Sequence, residues 1–198
     1  MTATHRWEHS YPASLHNYQI PSELLAGNLT QFAAQGATQF PEKNAFSMVL
    51  PNGLQQSLTF KQLDDLSTAF ANYLVAQGLQ RGEVIAIQLP TSLHYPIAVM
   101  GAWKAVLFVT NMNPLYTARE VLMQIKDSGA NLLVESNLFA NSVKSVVEDQ
   151  GLQLILAAMS DFFPAPIAAA IDQHLSVQLE LGALQHTTFK AALAEGEQ

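Results

Sequence analysis

The strongest constraint on the fold is the alternation of short apolar runs with helix-start signals in residues 82–134. Residues 84–89 form a short run rich in β-branched side chains, which predicts a buried strand that Pro90 ends. We expect the stretch Pro90-Thr91-Ser92 to supply a hydroxyl cap, from Thr91 or Ser92, for the helix that follows. A second apolar run at residues 107–109 predicts the next strand. Strands that alternate with helices over short connections favour βαβ units and a parallel sheet.

Further helix boundaries follow along the chain. Thr117 and Glu120 have the T-x-x-E spacing of a capping box, in which each side chain bonds a free backbone N–H of the other residue. That helix is expected to end at Gly129, because glycine readily adopts the left-handed C-terminal conformation. Residues 131–135 predict a third strand, residues 137–150 an amphipathic helix that Gly151 stops, and residues 152–156 a fourth strand.

The first third of the chain predicts a helix, a hairpin and a second helix. Leu24, Leu25, Leu29, Phe32 and Ala33 indicate a helix that ends near Phe40. Asn52-Gly53 lies between apolar runs at 45–50 and 54–58, and Asn-Gly is the strongest short hairpin signal. Thr59 and Gln62 repeat the capping-box spacing and start a helix that closes at Gly78.

Residues 160–186 differ from the rest because they are apolar and contain no lysine or arginine. A helix is expected at 167–181, and Thr188 is expected to cap a last short helix that runs to Leu193. Without basic residues, this segment suits protein packing better than an anionic lipid surface. We therefore predict self-association of the isolated chain, or mobility in 160–186.

Composition excludes several classes of protein. A formal net charge of −7 with no basic cluster argues against a nucleic-acid surface. The absence of cysteine excludes disulfides and thiolate metal sites. The apolar run at residues 95–103 is too short to span a bilayer. The first twelve residues lack the apolar core of a signal peptide. These features favour a soluble, cytoplasmic type of chain.

Two long stretches carry a resemblance to a known family. GEVIAIQLPTSLHYPIAVMGAWKA and NMNPLYTAREVLMQIKDSGANLLV resemble the N-terminal part of the acyl-adenylate-forming enzymes. Within them the chain is most similar to bacterial long-chain fatty acid–CoA ligases, which commonly carry N-x-N-P-L-Y-T-x-R-E, here at residues 111–120. The likeness covers most of residues 7–150 and includes Trp7, Tyr11, Pro12, Ala13, Leu58, Thr59 and Phe60. Three departures are Glu83 for the usual Asp, Thr91 for Asn, and Val106-Leu107 for a common Gly-Ala pair.

The resemblance implies a fold and an activity. The fold is α/β: an open, mostly parallel sheet with flanking helices plus an N-terminal β-hairpin, part of the large N-terminal domain of adenylate-forming enzymes. The full enzyme would convert ATP, a fatty acid and CoA to acyl-CoA, AMP and diphosphate through an acyl-adenylate, with Mg²⁺ assisting. Its partners would be the fatty acid, CoA and the rest of the same polypeptide, with no nucleic acid. The implied location is cytoplasmic. Peripheral contact with the inner membrane and formation of a homodimer are both left open.

The chain lacks the family's phosphate-binding loop. That loop has the form (S/T)-G-(S/T)-T-G-x-P-K-G, and no such stretch occurs in the sequence. We therefore interpret residues 1–198 as an incomplete N-terminal domain that ends before this loop and is inactive alone. No catalytic, cofactor-binding or metal-ligating residue is expected in it. Two alternatives stay open: a segment of another carboxylate-adenylating ligase, and a non-catalytic binding or dimerisation module.

Several polar residues were considered as functional groups. His94-Tyr95 could face a pocket at the carboxyl end of the first parallel strand, but a partly exposed pair at a helix start is the simpler interpretation. The others are interpreted as surface groups. His5, His9 and His16 are expected to be surface imidazoles, and Asp64-Asp65 a solvated helix face. Glu120 and Asp127 are expected to be capping or surface groups, and Lys144 is a lone cation that matches no CoA-binding motif.

Overall fold

A parallel five-stranded sheet forms the centre of the structure. The structure is a computed structural model that describes residues 7, 10–15, 19–22, 27–175 and 177–198. For residues 32 and 33 it describes only the backbone. The described helices are α1 (Leu29–Gln39), α2 (Phe60–Ala76), α3 (His94–Lys104), α4 (Ala118–Ser128), α5 (Ala140–Gln150), α6 (Ala165–Leu175) and α7 (Phe189–Gly196). The strands are β1 (Asn44–Val49), β2 (Gln55–Thr59), β3 (Val84–Gln88), β4 (Phe108–Asn111), β5 (Leu132–Ser136), β6 (Gln153–Ala157) and β7 (Thr187–Thr188). A short 3₁₀ turn spans Ala13–Leu15.

The strand order in the sheet is β4-β3-β5-β6-β7, and all four pairings are parallel. The chain therefore adds β4 on one side of β3 and then crosses to add β5 on the other side. This confirms the predicted α/β fold with a parallel sheet. Strand β7 was not predicted, since two threonines in a row are too short for a periodicity signal.

Helices cover both faces of the sheet. Ile85 and Ile87 belong to one apolar cluster, called here the first core, which α2, α3 and α7 complete. Ala86 points to the opposite face and belongs to the second core, formed with α4 and α5. This alternation follows from the two-residue period of a strand. Burial on both faces explains why the strands are almost continuously apolar.

Helix α7 returns the end of the chain to the first core. The ring of Phe189 stacks on that of Phe70 with centroids 4.9 Å apart, and both side chains are fully buried. Nδ2 of Asn72 donates to the carbonyl of Gly196 over 3.0 Å. Gly101 allows α3 to lie close to α2, because a Cβ there would meet the Phe70 ring and the Ser67 carbonyl.

Several local sequence signals at element boundaries are confirmed. Strands β1 and β2 form an antiparallel hairpin, and Gly53 in its turn has φ +84°. Both capping boxes form, at Thr59–Gln62 and at Thr117–Glu120. Gly129 and Gly151 end α4 and α5 in the left-handed conformation. Thr188 caps α7 through the backbone N–H of Ala191, as predicted.

The helix predicted at 167–181 has different limits in the structure. Helix α6 ends at Leu175, whereas a helix to Leu181 was predicted. Ile171 packs in the first core and Leu181 in the second, and one straight helix cannot reach both faces of the sheet. The side chain of Asn141 holds the crossing segment by bonding the carbonyl of Gln178 and the N–H of Glu180, each over 2.8 Å. The predicted start of the first helix at Leu24 and Leu25 lies outside the described residues.

Val106 links α3 to β4 with φ +59°. It is the one non-glycine residue with positive φ in the described part of the chain. Its N–H donates to the carbonyl of Trp103 and its carbonyl accepts from Gly82, so the tight turn is held from both sides. Val106 occupies the position where the resembled family commonly has glycine.

No helix within the described ranges is long and apolar enough to cross a membrane.

Candidate functional site

The carboxyl ends of β3, β4, β5 and β6 meet at one edge of the sheet, where open α/β sheets usually bind ligands. Four segments follow these ends: 89–93, 112–117, 137–139 and 158–164. Buried polar side chains concentrate at this edge. They include Gln88, Ser92, His94, Glu135, Ser136 and Ser160.

The loop after β4 contains most of the run that carries the family resemblance. Nε2 of Gln88 donates to the carbonyl of Asn113 over 3.1 Å, which fixes the loop to the end of β3. Oδ1 of Asn113 accepts from the N–H of Leu115 over 3.0 Å. The capping box then closes the loop: the N–H of Thr117 donates to Oε2 of Glu120 over 2.8 Å. The capping box confirms the capping role of Glu120. Hydrogen bonds from the backbone and hydroxyl of Thr117 lower the pKa of Glu120.

Glu135 on β5 is a carboxyl group with no solvent exposure. Burial raises the pKa of Glu135 to about 9, against an opposing hydrogen bond from the backbone N–H of Ser136. That N–H donates to Oε1 over 2.7 Å. Oε2 has no hydrogen-bond partner among the described residues. Burial of this kind favours the protonated, neutral form of the carboxyl group.

His94 is buried, with 1% of its surface exposed, so the expected partly exposed histidine is wrong. Its Nε2 donates to Oδ2 of Asp161 over 2.9 Å, and the rings of Phe162 and Phe189 pack against it. Oδ2 of Asp161 also accepts from the N–H of Ala158 over 3.0 Å. The pair thus fixes the segment after β6 to the start of α3. Its enclosure by phenylalanine rings indicates a structural role.

The expected hydroxyl cap at Ser92 is also wrong. Helix α3 begins at His94, and its N-cap is Leu93, which is already in the right-handed helical conformation and has no side-chain cap. The hydroxyl of Ser92 is buried and has no hydrogen-bond partner in the part of the chain that the structure describes. Pro96 lies in the first turn of α3, where its missing N–H is tolerated, as expected.

The remaining charged candidates form surface ion pairs. Asp65 pairs with Lys61 over 2.8 Å, whereas Asp64 is not simply solvated, since it accepts from Lys104 over 2.6 Å. Lys144 lies 3.8 Å from Glu148, one turn further along α5. His5, His9 and His16 lie outside the described residues. Within the described ranges, no three His, Cys, Asp or Glu side chains form a group that could hold a metal ion.

A cavity of about 520 Å³ opens beside the same edge of the sheet. The turn of the β1–β2 hairpin, the segments after β5 and β6, and α6 form its walls. Its apolar lining includes Leu50, Leu54, Leu138, Met159, Ile171 and Leu175. His174 is the one ionisable group among its lining residues. This cavity can take an apolar group, and its lining residues include no lysine or arginine that could orient a phosphate.

Gln88, Glu135 and Asp161 were not singled out from the sequence. A signal did exist for the first two, because each stands at or near the carboxyl end of an otherwise apolar strand, in VIAIQ and LLVES. Buried polar groups at such positions are candidates for a site. Asp161 gave no signal, since only the tertiary fold brings it to His94.

Comparison with known proteins shows that the chain is similar to AMP-binding enzymes. The family model described as AMP-binding enzyme matches residues 33–184. A long-chain-fatty-acid–CoA ligase of Salmonella typhimurium is 34% identical over 160 residues, which is 78% of this chain and 27% of the relative. One of Bacillus subtilis is 28% identical over 162 residues, 81% of this chain and 27% of the relative. The chain thus spans about a quarter of the length of these relatives.

Solved structures share the fold at low sequence identity. Acetoacetyl-CoA synthetase from Streptomyces lividans superposes with a TM-score of 0.69 at 16% identity, covering 84% of this chain and 25% of the other. The A-PCP didomain of carboxylic acid reductase from Segniliparus rugosus, in complex with AMP, has a TM-score of 0.68 at 14% identity, covering 89% and 28%. The sheet and its helices therefore occur as one part of much larger proteins.

Proposed function

The chain belongs to the family of AMP-binding enzymes, and we propose that it forms the first part of the N-terminal domain of a long-chain fatty acid–CoA ligase. The observation that carries this proposal is the 34% identity over 160 residues to ligases of that name. The run Asn111–Glu120 lies within residues 33–184, which the family model matches. The solved relatives, at 14% and 16% identity, support the fold and not the choice of substrate.

The proposed reaction has two steps in the longer protein. The carboxylate of a fatty acid attacks the α-phosphorus of ATP, forming an acyl-adenylate and releasing diphosphate. The thiol of CoA then attacks the acyl carbon, forming acyl-CoA and releasing AMP. Both steps require groups that stabilise negative charge on phosphate oxygens.

The residues of this chain do not fit ATP or Mg²⁺. The sequence contains no Gly-rich loop with a lysine that could surround phosphates. Metal-ligating clusters are absent from the described residues. We therefore assign phosphate and metal binding to parts of the ligases that this chain does not match. Its own contribution is a rigid sheet edge that positions the loop after β4 and the segment after β5.

A chimera tests the proposal. The stretch of the Salmonella typhimurium ligase that matches this chain is replaced by residues 33–184, and acyl-CoA formation is measured with a long-chain fatty acid and with benzoate. We expect activity with the fatty acid. A folded chimera that is inactive with both acids, beside an active parent ligase, would contradict the proposal.

An assay of the isolated chain is the second part of the test. We expect no ATP–pyrophosphate exchange with palmitate above a heat-inactivated control, because no phosphate-handling loop is present. Exchange by the isolated chain would show that it holds the catalytic groups itself. Activity of the chimera with benzoate alone would identify a different carboxylate ligase.

A homodimer and a peripheral membrane contact belong to the proposal for the longer protein. Leu115 lies in the loop after β4 and Met123 lies on α4, and they are 75% and 63% exposed, so they offer apolar contact to either partner. Sedimentation and liposome flotation of the chimera distinguish the two. Leu115→Ser and Met123→Ser should weaken whichever contact exists.

A further inference from the structure

Gln88 and Glu135 are neighbours across two hydrogen-bonded strands. Their Cα atoms are partners in the β3–β5 register, and both residues have no solvent exposure. Ala86 and Leu133, two residues earlier on each strand, belong to the second core. Since side chains alternate along a strand, Gln88 and Glu135 point to that same face. Adjacent strands lie about 4.8 Å apart, so these two long side chains are within reach of each other.

Each of the two side chains uses one polar atom and leaves another without a partner. Nε2 of Gln88 donates to Asn113, and Oε1 of Glu135 accepts from Ser136. Oε1 of Gln88 and Oε2 of Glu135 are buried with no hydrogen-bond partner among the described residues. Two buried unpaired acceptors side by side are costly. A proton on one of them would turn the pair into a donor and an acceptor.

The surroundings of Glu135 favour that proton. In the sheet it lies between Gln88 on β3 and Leu156 on β6. The charged groups of the covering helices lie at or near the solvent-facing side. The exposed ones are Arg119, Glu120, Lys126 and Asp127 on α4 and Glu148 and Asp149 on α5. Lys144 on α5 is half-buried beside Glu148. None of them shifts the pKa of Glu135, which burial alone raises. An apolar neighbourhood without a compensating cation stabilises the neutral acid.

We propose that Glu135 carries a proton on Oε2 and donates it to Oε1 of Gln88, so that the two side chains tie the loop after β4 to the segment after β5. The connection runs from Asn113 through Gln88 and Glu135 to Ser136. It is a property of the sheet itself and does not depend on the proposed ligase activity. Loss of the proton would leave a carboxylate facing the amide oxygen. The amide of Gln88 would then turn its N–H groups toward Glu135 and release Asn113.

The test is an NMR titration of the intact 198-residue chain between pH 6 and pH 11. We expect the side-chain carboxyl carbon of Glu135 to titrate near the raised pKa of about 9. The side-chain amide signals of Gln88 should move with the same midpoint, whereas those of the exposed Gln153 should not. Ionisation of Glu135 below pH 7, or Gln88 signals that stay constant through its midpoint, would overturn the proposal.

Two substitutions separate the hydrogen bond from simple packing. Glu135→Gln keeps a donor for Oε1 of Gln88 at every pH, and Glu135→Met keeps the length but removes the donor. With Glu135→Met, we expect the backbone amide hydrogens of residues 113 and 115–117 to exchange with solvent about five-fold faster at pH 7. This is the change expected for the loss of one hydrogen bond of ordinary strength. With Glu135→Gln their exchange should match the parent chain. Equal exchange in both variants would contradict the proposed connection.

Discussion

Replacing Val106 by glycine should stabilise the protein, although it deletes a side chain. Val106 has φ +59°, where a β-branched residue is strained. Such strain costs about 2–3 kcal/mol for a residue of this shape. Two other effects of the substitution reduce the stability gained when this strain is released. Glycine adds about 0.5–1 kcal/mol of backbone entropy to the unfolded chain. Removing a valine that is 49% exposed loses about 0.7 kcal/mol of apolar burial.

The balance is a gain of about 1 kcal/mol in the free energy of unfolding. For a chain of this length, the melting temperature should rise by about 2–4 °C. Urea unfolding of both proteins measures the change, provided that the denaturant slope stays the same. Val106→Asn should give a similar gain, because asparagine tolerates the left-handed conformation and adds less flexibility than glycine.

Val75 provides the matched control. It lies on α2 and is 58% exposed, and its φ is not positive. Val75→Gly deletes the same side chain from ordinary helix and should destabilise by about 1–2 kcal/mol, because it has the same losses of backbone entropy and apolar burial without any release of strain. The two valine-to-glycine changes should therefore have opposite signs. If both destabilise equally, the turn at Val106 is not strained and the argument fails.

Three further predictions concern a helix cap, a buried acid and an apolar segment. Thr117→Ala should cost about 1 kcal/mol of stability, measured by urea unfolding, since it removes the cap of α4; an unchanged midpoint would mean that Thr117 does not set the helix start. Glu135 should make stability fall as pH rises from the unfolded pKa of 4.5 to about 9, because the folded state alone holds the proton in that window. The advantage of Glu135→Gln over the parent should therefore grow by about 1.4 kcal/mol per pH unit there, and a constant difference between pH 5 and 9 would contradict this. In light scattering the chain should associate as its concentration rises, and amides 177–186 should exchange faster than those of β3. A strict monomer with equal protection would refute the idea that residues 160–186 expose apolar surface.

Boundaries set by neighbouring residues could be predicted from the sequence. The capping boxes at Thr59 and Thr117 and the glycine stops at Gly129 and Gly151 need only three or four residues to specify them, and all are confirmed. The parallel sheet followed from alternation alone. The cap at Ser92 failed because α3 begins two residues later, with Leu93 already helical and buried. Tertiary packing of Leu93 overrode a weak local preference.

Features that depend on distant contacts could not be predicted. The end of α6 is set by Asn141, which holds the backbone 37 residues further on, and by the burial of Leu181 on the opposite face. His94 pairs with Asp161, 67 residues away, and no local pattern marks either residue as a partner. The positive φ of Val106 was likewise not predicted, since a valine gives no local signal for the left-handed conformation.

The return of α7 to the first core has a consequence for synthesis on the ribosome. Phe70 emerges from the translation machinery 119 residues before the ring that covers it, Phe189. At about 5–20 residues per second, the nascent chain carries an uncovered aromatic surface on α2 and α3 for about 6–24 s. Nascent-chain binders that recognise apolar segments have that interval in which to act. A stalled chain that lacks the last ten residues should be degraded faster than one that includes them.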